Sequence, residues 1–166
     1  MLEQVLEVYT MRRKDREVTD DCEIDAIIAS CNCCRLGFYD QGSVYIVPLN
    51  FGYEKKSGKR IFYFHSAKQG KKIQLIETCP QVGFELDTGY QLQKGADACQ
   101  YSARFQSVIG NGTASIIHNH AEKHHALQSI MYQNTHKNNW EFHDEMIDTV
   151  CVFKIEVTAL SCKEHK

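Results

Sequence analysis

An antiparallel β-barrel with helices in only some of its connections is the fold this sequence predicts, and three observations predict it. Apolar residues alternate at period two through CRLGFYD, SVYIVPLNFGYE, RIFYFH, VGFELD, YSARFQSVIG and TVCVFKIEV. Short turns such as Gln41–Gly42 and KKSGK join several of these segments as hairpins. Helical periodicity falls in only a few connections, so the regular strand and helix rhythm of a doubly wound parallel sheet is absent.

In chain order, Thr19 and Asp20 open the first helix. Asp20 with Glu23 resembles a capping box, and Ile24, Ile27, Ile28 and Cys31 recur at helical spacing, so one face packs on a core. From Arg35 the period changes to two, giving a hairpin of CRLGFYD and SVYIVPLNFGYE, followed by the strand RIFYFH. HSAKQGKKIQLIETCP changes period again: Ser66 is the expected N-cap, with Gln69 three residues on and Pro80 beyond the end. VGFELD is the fourth strand and residues 88–100 read as a loop. YSARFQSVIG with GTASII is a long strand interrupted at Gly110 and Gly112. A helix over His120–Thr135, a short one over 141–148 and a last strand, TVCVFKIEV, complete the chain.

The 166 residues, 43% hydrophobic, suffice for one core, and without repeats, low-complexity tracts or Pro/Ser-rich linkers they are expected to form a single domain, 1–166. With 21 acids against 19 bases no global positive field draws the protein to nucleic acid or an anionic membrane, so any phosphate recognition is local. MLEQVLEVYTMRRKDREV has no apolar run long enough for a signal peptide or a spanning helix, so the protein is expected to stay in the cytoplasm. The 8 cysteines are then expected as reduced thiols, and Cys31, Cys33 and Cys34 lack the second ligand pair of a structural zinc site. His118, His120, His124 and His125 include one pair at helical spacing but no carboxylate or thiol evidently placed to complete a metal site, so no metal is expected.

Two local rules are broken. Lys68, Lys71 and Lys72 crowd the first turns of the helix expected from Ser66, where the macrodipole favours negative charge. Free N–H groups, the Ser66 hydroxyl and these ammonium groups make a phosphate site, with His65 expected to face the same point; a solvated Lys-rich helix end is the alternative. Pro48 lies within a strand pattern, which implies an edge or a bulge and leaves backbone groups around Val47, Pro48, Leu49 and Asn50 free to meet a ligand.

The ordered fragments MRRKDREV, EIDAIIASC, CRLGF, YIVPLNFGYE, IFYFHSAKQGKK, YSARFQSVIGNGTA and KNNWEF, from about Met11 to Lys154, carry a resemblance. Together they resemble the nitroimidazole-resistance family within the pyridoxamine 5′-phosphate oxidase-like FMN-binding split barrels. That resemblance implies a six-stranded antiparallel split β-barrel with flanking α-helices, paired as a homodimer with FMN at the subunit interface. It implies that the Val47, Pro48, Leu49 and Asn50 backbone lines the isoalloxazine. His65, Ser66, Lys68, Gly70, Lys71 and Lys72 would hold the phosphate and ribityl chain. Ser107, Val108 and Ile109 would approach the ring, and Trp140 would stand near the site from the same or the other subunit.

The function expected is an FMN-dependent oxidoreductase that reduces small electron-poor acceptors of the nitroaromatic type. His65 is the candidate catalytic residue, because imidazole can handle a proton near neutral pH. A flavin-binding module with little turnover and a haem-handling split-barrel protein are the competing classes. The tail ALSCKEHK lacks the basic substrate-phosphate site of pyridoxamine phosphate oxidases, which argues against vitamin B6 chemistry.

Overall fold

The computed structural model describes residues 11–166. Most of the N-terminal stretch behind the expectation of no export signal therefore lies outside the described residues. The elements are β1 (Glu17–Val18), α1 (Asp21–Ser30), β2 (Cys34–Asp40), β3 (Ser43–Leu49), β4 (Gly52–Lys56), β5 (Lys59–Ala67), α2 (Lys71–Thr78), β6 (Gln81–Gln93), β7 (Ser102–Ile116), α3 (His120–Thr135), α4 (Asp144–Ile147) and β8 (Val150–His165). No described helix is long and apolar enough to cross a membrane.

The strands form one antiparallel sheet in the order β3-β2-β6-β7-β8-β5-β4, with β1 pairing on β8. The fold is mainly β and of the split-barrel type, with eight strands rather than the six expected. Two differences account for the count: SVYIVPLNFGYE divides at Asn50 and Phe51 into β3 and β4, and the two-residue β1 joins the sheet. The sheet rolls up. Phe62 of β5 and Phe84 of β6 are separated in the sheet by β8 and β7, yet their rings meet at 5.1 Å. Phe38, Phe51, Phe62, Phe64, Phe84 and Phe153 fill the interior together with the apolar faces of α1 and α2. Burying an aromatic side chain stabilises by about 1.5–3 kcal/mol relative to exposure, so this interior is the main reason the sheet closes.

Asp20 caps α1 as expected, its side chain accepting from the Glu23 N–H at 2.8 Å. The α3 range also matches the expectation, with Asn119 accepting from the Glu122 N–H at 3.0 Å. Helix α3 lies on the outer face of the sheet, where Ala126, Leu127 and Ile130 pack with Tyr63, Ile117 and Val152 in a second apolar cluster.

Several boundaries differ from expectation. β6 continues to Gln93 through residues read as a loop, because Gly89 (φ 66) takes up a bulge between Thr88 and Gln91 that lets pairing with β7 resume. Gly110 and Gly112 do not break β7; the register merely shifts beyond Asn111. β8 runs on through the tail to His165, paired with β7. The fourth helix is shorter than expected, covering Asp144–Ile147.

Candidate ligand site at the barrel seam

The two ends of the sheet path leave a seam. β3 is bonded on one side only, to β2, and Pro48 sits on this edge strand, where its missing N–H costs no ladder bond. On the other side, β4 covers β5 only as far as Tyr63, so residues 64–67 pair with β8 alone. The start of α2 joins the two sides, because the Lys71 ammonium lies 5.3 Å above the Tyr45 ring of β3 and pairs with Asp40 at the β2–β3 turn.

Ser66 is not the N-cap of α2. Strand β5 keeps its bonds to β8 through Ala67, and the helix begins four residues later than expected, behind Gly70. Gly70 has φ 140, a backbone conformation that side-chain-bearing residues rarely adopt, and it offers no capping group. Lys71 and Lys72 are therefore the first two helical residues, with no acid in the first turn. Uncapped N–H groups, the positive end of the dipole and two cations coincide, an arrangement suited to an anion.

Strand alternation sorts the neighbouring residues. Phe62 and Phe64 point into the barrel, so Ser66 lies on that same side, opposite Cys151 of β8. Cys151 senses the charges of Lys123, Lys72 and Lys68, which oppose the rise in its pKa caused first by burial. Lys123 comes from α3 and was missed by the sequence reading, since only the packing of that helix brings it here. His65, by contrast, alternates onto the outer face beside Tyr63 and opposite Val152. The expectation that His65 and Ser66 face one point is corrected by this period-two geometry.

Along β3, Val47 and Leu49 turn toward the core, Pro48 is outward, and Asn50 closes the strand. Asn50 donates through Nδ2 to the Asn32 carbonyl and to Asn134 Oδ1 of α3, both at 3.0 Å. The seam thus gathers Val47, Pro48, Leu49, Asn50, Ser66, Lys68, Gly70, Lys71 and Lys72.

Ser107, Val108 and Ile109 are not brought to it within one chain. They lie on β7, whose backbone is bonded on both sides, and Val108 is fully buried. Ile109 is 47% exposed on the outer face, in one cross-strand row with Glu85, Arg35 and Pro48, three strand spacings or about 14 Å from β3. Tyr39, Val44 and Ile46 are exposed on the same outer face of β2 and β3. Trp140 is held to α3 by its own Nε1, which donates to Thr135 Oγ1 at 3.3 Å, and by its carbonyl, which accepts from Gln128.

The histidines of α3 disperse to separate partners. His125 Nε2 lies 2.7 Å from Glu54, His120 lies 3.4 Å from Asp144, and His124 stacks edge-on against Phe142. Among the described residues no group of three or more His, Cys, Asp or Glu is arranged to hold a metal. All eight cysteines are free thiols; burial raises Cys31 to about 12 and Cys162 to about 11, so these interior thiols are protonated.

The comparisons agree with this architecture. A family model described as pyridoxamine 5′-phosphate oxidase matches residues 20–164, and the chain belongs to that family. A crystal structure of a candidate 5-nitroimidazole antibiotic resistance protein from Bacteroides thetaiotaomicron is 32% identical, covers 89% of this chain and 86% of its own, and superposes with a TM-score of 0.77. The flavocytochrome Anf3 from Azotobacter vinelandii shares the fold at 19% identity, covering 95% of this chain and 72% of its own, TM-score 0.76. An FAD and heme binding protein from Mycobacterium smegmatis shares it at 12% identity, covering 91% and 74%, TM-score 0.76. No curated protein matches the sequence.

Proposed function

We infer that the seam binds FMN and that the protein is a flavin-dependent reductase of small electron-poor compounds, nitroaromatics being the class suggested by the nitroimidazole-resistance relative. The observation that carries this reading is the start of α2, where an uncapped helix end, Lys71 and Lys72 meet beside two unpaired strand edges. The donor set fits a flavin phosphate: main-chain N–H groups, the Ser66 hydroxyl, and the ammonium groups of Lys68, Lys71, Lys72 and Lys123. Asp40, which pairs with Lys71, would release that lysine to the incoming phosphate.

When bound, the flavin supplies reversible electron transfer, and the chain's part is to hold it and shape access to it. Val47, Pro48 and Leu49 offer a flat apolar strand edge to the ring. The flavocytochrome and the FAD and heme binding protein that share this fold lend general support to a redox cofactor.

The active unit is a homodimer. Exposed Tyr39, Val44, Ile46 and Ile109 on the outer face of the barrel support this, since a second copy would cover them and bring Ser107 and Ile109 toward a shared site. Eight free thiols suit a reducing, cytoplasmic setting.

The test is direct. Purified protein supplemented with FMN is expected to retain it through gel filtration as a dimer and to show flavin absorbance without a Soret band. Reduced nicotinamide should bleach the flavin, and a nitro compound should restore its colour. Retention without reoxidation by any acceptor would reduce the protein to a flavin-binding module, and a Soret band would replace the reading with haem handling.

A further inference from the structure

The polarity of one side chain at the seam is fixed by two main-chain carbonyls, one on its own helix and one at the junction of β3 and β4. Asn134 Nδ2 donates to the Ile130 carbonyl at 2.7 Å and to the Phe51 carbonyl at 3.4 Å. Carbonyls only accept, so the amide of Asn134 has one orientation, with Oδ1 turned to Asn50. Asn50 in turn gives Nδ2 to Asn134 Oδ1 and to the Asn32 carbonyl, each at 3.0 Å. Both N–H groups of Asn50 are thereby spent on α3 and on the loop between α1 and β2. Its Oδ1, on the far side of the same carbon, is turned away from those two elements and accepts no hydrogen bond among the described residues.

Asn50 therefore ends the free edge of β3 as a pure acceptor. The phosphate end of the seam lies near Tyr45, above which Lys71 sits. Five residues of strand, about 17 Å, separate Tyr45 from Asn50, comparable with an extended FMN from phosphate to the far edge of its ring. An oxidised isoalloxazine carries a single ring N–H, at N3, flanked by the two carbonyl oxygens of its pyrimidine edge. A lone acceptor at this position complements that N–H and no other ring atom.

We propose that Asn50 Oδ1 accepts the N3–H of the bound flavin, and that Asn134 is the positioning residue that denies Asn50 the flipped amide. The relay selects a ring with a donor at this edge. A flipped Asn50 would present N–H groups to the ring and lose the match. The proposal rests on the flavin reading and adds to it the atom by which the ring is recognised.

The test compares FMN with 3-methyl-FMN, in which a methyl group replaces the N3 hydrogen, by quenching of flavin fluorescence. The unaltered protein is expected to bind FMN about tenfold or more tightly than the methylated analogue, because the acceptor would be left unpaired against a methyl group. In Asn50→Ala and in Asn134→Ala this ratio should shrink toward one, while the preference for FMN over riboflavin, which reads the phosphate alone, should persist. Equal binding of FMN and 3-methyl-FMN by the unaltered protein overturns the proposal and leaves the flavin reading intact. A ratio undiminished in Asn50→Ala overturns it equally. Failure to bind any flavin overturns both.

Discussion

Two helix starts in this molecule are built to opposite specifications. α1 begins behind Asp20, whose carboxylate caps the Glu23 N–H, and its first turn carries Asp21 and Glu23. α2 begins behind Gly70 with no capping side chain, and its first turn carries Lys71 and Lys72. Each capping and dipole contribution is worth about 0.3–2 kcal/mol, so α1 is complete in itself while α2 gives up that stability. Asp21 and Asp25 of α1 are further tied to Arg60 and Lys55 of the β4–β5 hairpin. One end is an internal weld, and the other is an uncapped, positively charged start suited to an anionic ligand.

The largest expected effect breaks the second end. Lys71→Glu with Lys72→Glu should lower FMN affinity at least about a hundredfold, since hydrogen bonds to charged groups contribute about 1.5–3 kcal/mol each. Thermal unfolding of the flavin-free protein should barely move, because neither side chain is core. Retained affinity in a fluorescence titration would remove the phosphate from α2.

Next in size is the clamp of α3 over the seam. A Cβ on Gly52 would lie 2.5 Å from the Ile130 main-chain nitrogen and 2.6 Å from the Ser129 carbonyl carbon, neither of which can yield without moving the helix. Gly52→Ala should cost about 1–3 kcal/mol in urea unfolding. A neutral result would mean that α3 is free to shift.

Asp20→Ala, the matching lesion at α1, should cost about 1 kcal/mol of stability and leave flavin affinity unchanged. Loss of flavin binding in this variant would contradict the division of labour between the two helix ends. Acid titration sharpens the same contrast. Burial pushes the Asp25 carboxyl up, but hydrogen bonds from Tyr53, Arg60 and Lys55 outweigh it and hold the group below the usual carboxylate range. A lowered folded pKa gives stability that is present above the unfolded value and is lost as pH falls through the folded one. Unfolding of the native chain should therefore ease as pH drops below about 4. Asp25→Asn should flatten that part of the profile, and a profile as steep as the native one would exclude Asp25 as its source.

Much of this was legible in the sequence where structure is local. The Asp20 cap, the extent of α3 from His120, the Gln41–Gly42 hairpin and the edge placement of Pro48 follow from neighbours within a few residues. The start of α2 was misplaced because Ser66 and Gln69 imitate a capping box, while the bonds holding residues 64–67 in β5 come from β8, some ninety residues away. β6 outran its expected end because Gly89 reads alike as a loop or a bulge, and only pairing with β7 decides. Lys123 and Asn134 reach the site through the packing of α3, which no local pattern encodes.

The smallest expected effect concerns His65, and it separates the two sides of one strand. Ser66 faces inward toward Cys151, within the field of Lys68, Lys72 and Lys123, whereas His65 turns to the outer face with Tyr63 and Val152. A phosphate held by the inward group gains nothing from an imidazole on the far side of the backbone. In His65→Ala the ratio of FMN to riboflavin affinity should therefore equal that of the native protein, while Ser66→Ala should reduce it by about tenfold or more, as for loss of one hydrogen bond to a charged group. If His65 instead serves proton transfer at the outer face, the variant would load fully with flavin, and reoxidation by a nitro compound would slow by about 10² or more. A drop in the FMN to riboflavin ratio for His65→Ala would show that the ring crosses to the phosphate after all, and the sorting of the seam by strand alternation would fail with it.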